Sequence, residues 1–228
     1  MKHRFFTLVE LLTVIAVIAI LAGIAVPVVI GMQSKGKEMS ARADMNAIKM
    51  ALTQFKADYS VWPQVVSPSS TLILSVKDAG DTEKDKSLVI NTPFEPSSSL
   101  SDAETAYDNL TEALTYNKVD STSPDAPSSN YGNTKKKRYL DPPAKPVKTK
   151  NPKSGDFLTG YYKLDPWGRR YNIALDWNYN GKIEFNSSHK FAGESAAVLG
   201  QILIYSYGTA EDTDDIDGFL CSWKTNAK

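Results

Sequence analysis

The densest chemistry lies near the C-terminus, where Glu211, Asp212, Asp214, Asp215 and Asp217 place five carboxylates in seven residues. Such a run repels itself unless water solvates it or a hard cation neutralises it; calcium takes about six to eight oxygens at roughly 2.3–2.6 Å. The residues alone leave both readings open. A second oxygen-rich stretch, "DWNYNG", sets Asp176, Asn178, Asn180 and Gly181 in the D-x-[DN]-x-[DN]-G order that begins a calcium loop. Ser187 occupies the place of the final bidentate glutamate. Asn180-Gly181 is equally a tight-turn signal, which predicts a hairpin between the strand-like runs "YNIALDW" and "KIEF". A third carboxylate stands apart: Glu10 lies inside the apolar stretch "LVELLTVIAVIAILAGIAVP", where a charge near a hydrocarbon core costs about 2.5–3.5 kcal/mol.

The remaining inventory argues against catalysis. His3 and His189 are the only histidines, and Cys221 is the only cysteine. A histidine-rich zinc site, a CxxC centre and an intrachain disulfide are therefore excluded or disfavoured. Cys221 is expected to be a buried thiol packed near Trp223. The 228 residues carry 26 basic and 26 acidic side chains, so bulk charge indicates no nucleic-acid partner. The run Lys135 to Arg138 ("KKKR") lacks interleaved aromatics and reads as a solvated surface.

Long helical structure must position the N-terminal groups. Leu11 to Ile30 is interrupted only by Thr13, Gly23 and Pro27, and such a run makes about 30 Å of helix, a bilayer's hydrocarbon thickness. Lys2 and Arg4 precede it, which predicts a cytoplasmic N-terminus. Beyond it, Met45, Ile48, Leu52, Phe55 and Tyr59 recur at three- and four-residue spacings on one helical face, and Pro63 closes the pattern. One helix from about Leu8 to Tyr59 is predicted. Further on, "SDAETAYDNLTEALTYN" predicts a second helix, with Ser101 and Glu104 as a capping box and Ala106, Leu110, Ala113 and Leu114 on its buried side. "VSPSSTLILSV" and "KSLVINTPF" read as short strands, while "STSPDAPSSNYGN" and "PPAKPVKTKNPKSG" read as turn-rich, mobile stretches. Asp165-Pro166-Trp167-Gly168 is a turn signal.

"FTLVELLTVIAVIAILAGIAVP" resembles the N-terminus of type IV pilins and of the pseudopilins of type II secretion systems. The resemblance implies that a leader, "MKHRF", is removed by a prepilin peptidase between Phe5 and Phe6, and that Phe6 is then N-methylated. It makes Glu10 the family's assembly glutamate, paired with the terminal amine of a neighbouring subunit, and Pro27 the helix-kinking proline. The residue before the cut, usually glycine in that family, is Phe5 here. "DPWG", "YSYG", the acidic loop with "DDI" and the late "SW" are similar to the head of the major pseudopilin. That likeness implies calcium in the acidic loop, with Asp212, Asp214 and Asp215 as ligands near the Ser206–Gly208 backbone. The family's glycine pair is missing from the loop, and "DGFLC" intervenes before Ser222-Trp223.

Together these readings predict an α+β, pilin-like chain: a long N-terminal helix, transmembrane then amphipathic, followed by a globular head with a small antiparallel sheet. The expected divisions are a leader (1–5), a transmembrane half-helix (6–31), an amphipathic half-helix (32–62) and a head (63–228). Within the head, 63–160 reads as a variable, insert-like region and 161–223 as a β-rich part. The expected role is a non-catalytic filament subunit. Its partners would be other pilin subunits, the prepilin peptidase, an inner-membrane assembly platform and membrane lipid. It would be seated in the bacterial inner membrane with its head in the periplasm before joining the filament. The rival expectation is a monomeric, membrane-anchored domain that binds calcium or another ligand and does not polymerise.

Overall fold

The computed structural model describes residues 8–66, 72–76, 85–90, 92, 102–119, 127, 129–150, 157–184, 197–212 and 215–223. For 24–31, 73–76, 85–86, 148–150, 157–159, 184, 197 and 216 it describes the backbone alone. His3, Phe5, Phe6, Ser101, His189 and Asp214 lie outside the described residues. The chain divides into two units, Met1–Ser40 and Ala41–Lys228.

Helix α1 spans Leu8–Tyr59, the bounds that the apolar run and the amphipathic repeat predict, and its helical backbone passes through position 27. Among the described residues no helix is long and apolar enough to cross a membrane. The helix ends where Ser60 adopts a left-handed φ of 61° and its N–H donates to the Lys56 carbonyl at 2.7 Å. A left-handed residue just past the last turn satisfies a carbonyl left orphaned by the helix end.

In the second unit a five-stranded antiparallel sheet runs in the order β1-β2-β5-β8-β9, built from Ile73–Val76, Asp85–Ile90, Asn172–Asp176, Ile202–Ser206 and Leu220–Cys221. Because successive strand residues point to opposite faces, the sheet carries two sets of side chains. Leu88, Ile90, Ile173, Leu175, Ile202, Ile204 and Leu220 join one cluster with Met45, Ile48, Leu52 and Phe55 of α1. Tyr107, Leu110 and Leu114 of helix α2 (Asp102–Thr115) belong to the same cluster. Val89, Ala174, Leu203, Tyr205 and Cys221 belong to the other, with Ile183, Tyr207 and Phe219; Trp223 packs against that cluster. The sheet is therefore covered on both faces, and Cys221 is the buried thiol expected. β2 and α2 both fall within 63–160, and β2 sits between β1 and β5 in the main sheet.

Two features differ from the sequence expectations. The chain does turn at Asn180-Gly181, but β6 (Lys182–Glu184) pairs with β7 (Ala197–Leu199) and not with β5. The reason is that β2 and β8 already occupy both edges of β5. The stretch "PPAKPVKTKNPKSG", expected to be turn-rich and mobile, contains β3 (Val147–Lys150), paired with β4 (Phe157–Gly160). Its alternate β-branched residues, Val147 and Thr149, favour an extended chain.

Candidate functional site

In the first unit the candidate surface is α1 itself. Every large apolar side chain described from Leu8 to Leu21 is more than half exposed. Burying a side chain of this size is worth about 1.5–3 kcal/mol, so an apolar helix exposed on all sides calls for a cover of lipid or other helices. Glu10 stands in the first turn of this helix, where unsatisfied N–H groups and the positive end of the helix dipole favour a carboxylate. The Thr13 hydroxyl donates to the Glu10 carbonyl at 3.0 Å.

The second unit brings the "DPWG" and "YSYG" motifs together. Asp165 is only 5% exposed, and its Oδ1 accepts the backbone N–H groups of Trp167 (3.0 Å) and Arg169 (2.8 Å). Gly168, with φ of 87°, donates its N–H to the Asp165 carbonyl and completes the turn. The other carboxylate oxygen accepts the Ser206 hydroxyl at 2.6 Å, and Ser206 Oγ in turn accepts the Gly208 N–H at 2.9 Å. Burial is the main cause that pushes the Asp165 carboxyl above its ordinary value, against the opposing pull of these donors.

Gly208 leads into the acidic loop. A Cβ there would collide with the Gly218 carbonyl oxygen, and Thr209 N–H donates to that same oxygen at 3.1 Å. Gly208 and Gly218 thus form the neck of the loop, a role that sequence reading missed and that the two glycines flanking the acidic run could have signalled. Within the loop, Asp212 Oδ1 accepts the Asp215 N–H (2.9 Å) and Asp215 Oδ2 accepts the Glu211 N–H (3.2 Å). Among the described residues, no group of three or more His, Cys, Asp or Glu side chains is placed to hold a metal.

The "DWNYNG" stretch is organised around its backbone. Asp176 is fully buried; its Oδ1 accepts the Asn180 N–H at 3.1 Å and its Oδ2 accepts the Gly181 N–H at 2.7 Å. Asn180 Oδ1 accepts the Lys182 N–H at 3.0 Å; Asn178 is half-buried. Tyr179, at a left-handed φ of 63°, stacks on Trp62 with ring centroids 6.1 Å apart. Lys56 Nζ lies 4.4 Å from each of those rings and donates to Gln201 Oε1 at 3.1 Å. Burial is the main cause lowering the Lys56 ammonium below its usual value, with Asp176 pulling the other way.

Charge networks between distant segments were missed at the sequence level. Arg170 donates to both Asp108 oxygens at 2.8 Å and to Glu104 at 3.1 Å. Glu104 and Asp108 lie four residues apart, on one face of the predicted helix, and that pairing could have signalled a need for a buried cation. Lys163 pairs with Asp44 of α1 at 2.6 Å. The "KKKR" run is exposed, as expected, yet it also meets both helix ends. Lys135 Nζ donates to the Asp58 carbonyl and Lys137 pairs with the Asp58 carboxylate, while Arg138 Nε donates to the Thr115 carbonyl. Cations are favoured at these C-terminal carbonyls.

Helices together with a small antiparallel sheet fit a pilin-like α+β architecture. Type II secretion system core protein G of Vibrio cholerae is 37% identical over 62 residues, 27% of this chain and 42% of that protein. The protein of the same name from Escherichia coli is 37% identical over 62 residues, 27% of this chain and 43% of its own. Type IV major pilin protein PilA of Myxococcus xanthus is 41% identical over 54 residues, 24% of each chain. The chain spans less than half the length of these relatives. No protein-family model matches the chain, and no solved structure gives a significant match. The relatives support the pseudopilin and type IV pilin family for this chain. None of the three is named as an enzyme.

Proposed function

We propose that this chain is a structural subunit of a type II secretion pseudopilus or a type IV pilus-like filament. The observation that carries the reading is the exposed apolar surface of α1 from Leu8 to Leu21, with Glu10 in its first turn. Pilin and secretion-core relatives support it. On this reading the apolar half of α1 rests in the inner membrane, N-terminus cytoplasmic, until an assembly platform extracts it. Cleavage between Phe5 and Phe6 by a prepilin peptidase creates a new terminal amine, which is then N-methylated at Phe6. Glu10 of one subunit pairs with that amine of the next, so two charges that would be costly in an apolar layer compensate each other in the filament. Pro27 supplies the local break in hydrogen bonding that lets the helix bend.

Calcium is a further part of the proposal, held by Asp212, Asp214 and Asp215. Carboxylate oxygens are the donor chemistry of a hard cation, and Asp212 and Asp215 stand on one short loop, Asp212 accepting the Asp215 N–H and Asp215 accepting the Glu211 N–H. When bound, the ion would neutralise the charge of a loop whose ends meet at the Gly208 and Gly218 neck.

Mass spectrometry of the membrane-extracted protein tests the filament reading. The expected product lacks the first five residues and carries one added methyl group. In parallel, Glu10→Ala should still enter the membrane and fail to form filaments by electron microscopy. An intact, unmethylated N-terminus together with a monomeric wild type would replace this reading with the anchored monomer.

A further inference from the structure

Met32, Met39 and Met50 are 68%, 72% and 62% exposed, whereas Met45 is 1% exposed. All four stand on α1, and methionine is ordinarily a residue of protein interiors. Met32 and Met39 are seven residues apart, so they lie two turns along one side of the helix. Met50 borders a surface groove of about 530 Å3 lined also by Asn46, Lys49, Thr53 and Gln54. Met45 belongs instead to the buried stripe that packs with the sheet. Seven residues of helix rise about 10 Å, too far for two neighbouring thioethers to share one metal ion. The chemistry left to an exposed thioether is two-electron oxidation, whose selectivity follows access.

We propose that Met32, Met39 and Met50 are sites of reversible sulfoxidation by hydrogen peroxide in the unassembled subunit, with Met45 shielded. The sulfur lone pair attacks a peroxide oxygen; an S–O bond forms as the O–O bond breaks, and the departing hydroxide leaves as water after taking the proton. Sulfur is oxidised by two electrons and the peroxide is reduced by the same two. Methionine sulfoxide reductases, drawing on a thiol reductant, reverse the step. Each oxidation turns a flexible apolar side chain into a polar one, on a helix whose cover is other subunits. Oxidation therefore lowers self-association, a consequence that rests on the filament reading, whereas the modification itself does not.

The test uses the full chain in detergent, treated with limiting hydrogen peroxide and mapped by mass spectrometry. Peptides carrying Met32, Met39 and Met50 should gain about 16 Da each, at least roughly tenfold faster than the peptide carrying Met45. Equal rates at all four would overturn the proposal. On detergent removal, oxidised wild type should yield fewer sedimentable assemblies, and sulfoxide reductase should restore them. A Met32→Leu, Met39→Leu, Met50→Leu variant keeps apolar volume but cannot be oxidised, and should assemble equally with and without peroxide. Selective oxidation of wild type with undiminished assembly would overturn the regulatory consequence. An untreated wild type that never assembles would overturn the filament reading instead, and the peptide map would still decide the modification.

Discussion

Asp165 and Ser206, 41 residues apart in sequence, are joined by a 2.6 Å hydrogen bond from the serine hydroxyl to the buried carboxylate. Through it the "DPWG" turn is fastened to the end of β8, and through Ser206 Oγ to the Gly208 N–H at the neck of the acidic loop. Two motifs that are separate in sequence form one polar junction.

Ser206→Ala removes the hydroxyl that donates to Asp165 Oδ2 and leaves a buried oxygen without that partner. A buried polar group deprived of its hydrogen bond costs about 1–3 kcal/mol. Urea unfolding of the variant should show a loss of that size. Unchanged stability would mean that the junction is not holding the turn.

The same junction predicts a pH dependence. Burial raises the Asp165 carboxyl in the folded chain above its ordinary value of 3.8, so the folded state binds the proton more tightly than the unfolded one. Its stabilising contribution is complete below the unfolded value and is lost as pH rises through the raised folded value. Asp165→Asn removes this titration, so its stability should decline less than wild type as pH rises from about 4. Asp58, lowered chiefly by its bond from Lys137, has the opposite sign and is common to both proteins. Parallel pH–stability curves for the two would contradict the assignment.

Arg170 makes the strongest prediction about the head. Its side chain is 9% exposed and carries the charges of Asp108 and Glu104. Removing one partner of a buried ion network strands the others and costs about 3–5 kcal/mol. Arg170→Ala should be destabilised by that order in denaturant, while a triple replacement of Arg170, Asp108 and Glu104 by apolar residues should recover much of the loss. Equal losses in both variants would mean that packing, and not charge pairing, is what Arg170 supplies.

Local patterns made the helices legible in the sequence. The apolar run and the Met45–Tyr59 repeat delimit α1 because both depend on spacing within one element, and α2 follows from its own apolar face. The strand order and the Arg170 network depend on residues that meet only through the folded sheet, 62 to 66 positions apart for Arg170 with Asp108 and Glu104. The Asn180-Gly181 signal identified a turn but could not tell which strand the turn would serve, because β2 and β8 had taken both edges of β5. For the site, the exposed apolar helix and Glu10 were legible as a charge in an apolar run. The glycine neck was not, because it depends on close backbone approach between Gly208 and Gly218.

The two oxygen-rich stretches make opposite predictions for metal removal. Asp176 accepts turn amides with both carboxylate oxygens, whereas the Asp212 and Asp215 carboxylates accept amides within the acidic loop. Calcium bound at the acidic loop should stabilise the fold by mass action, about 2.7 kcal/mol at one hundred times its dissociation constant. Chelation should then lower the Tm of the wild type by several degrees, and Asp215→Asn should abolish that difference. Asp176→Asn should lower the Tm through the lost turn bonds but keep the response to chelator. If Asp176→Asn loses the response while Asp215→Asn keeps it, the ion sits in the "DWNYNG" turn. If the wild type melts identically with and without chelator, calcium has no part in holding this head together.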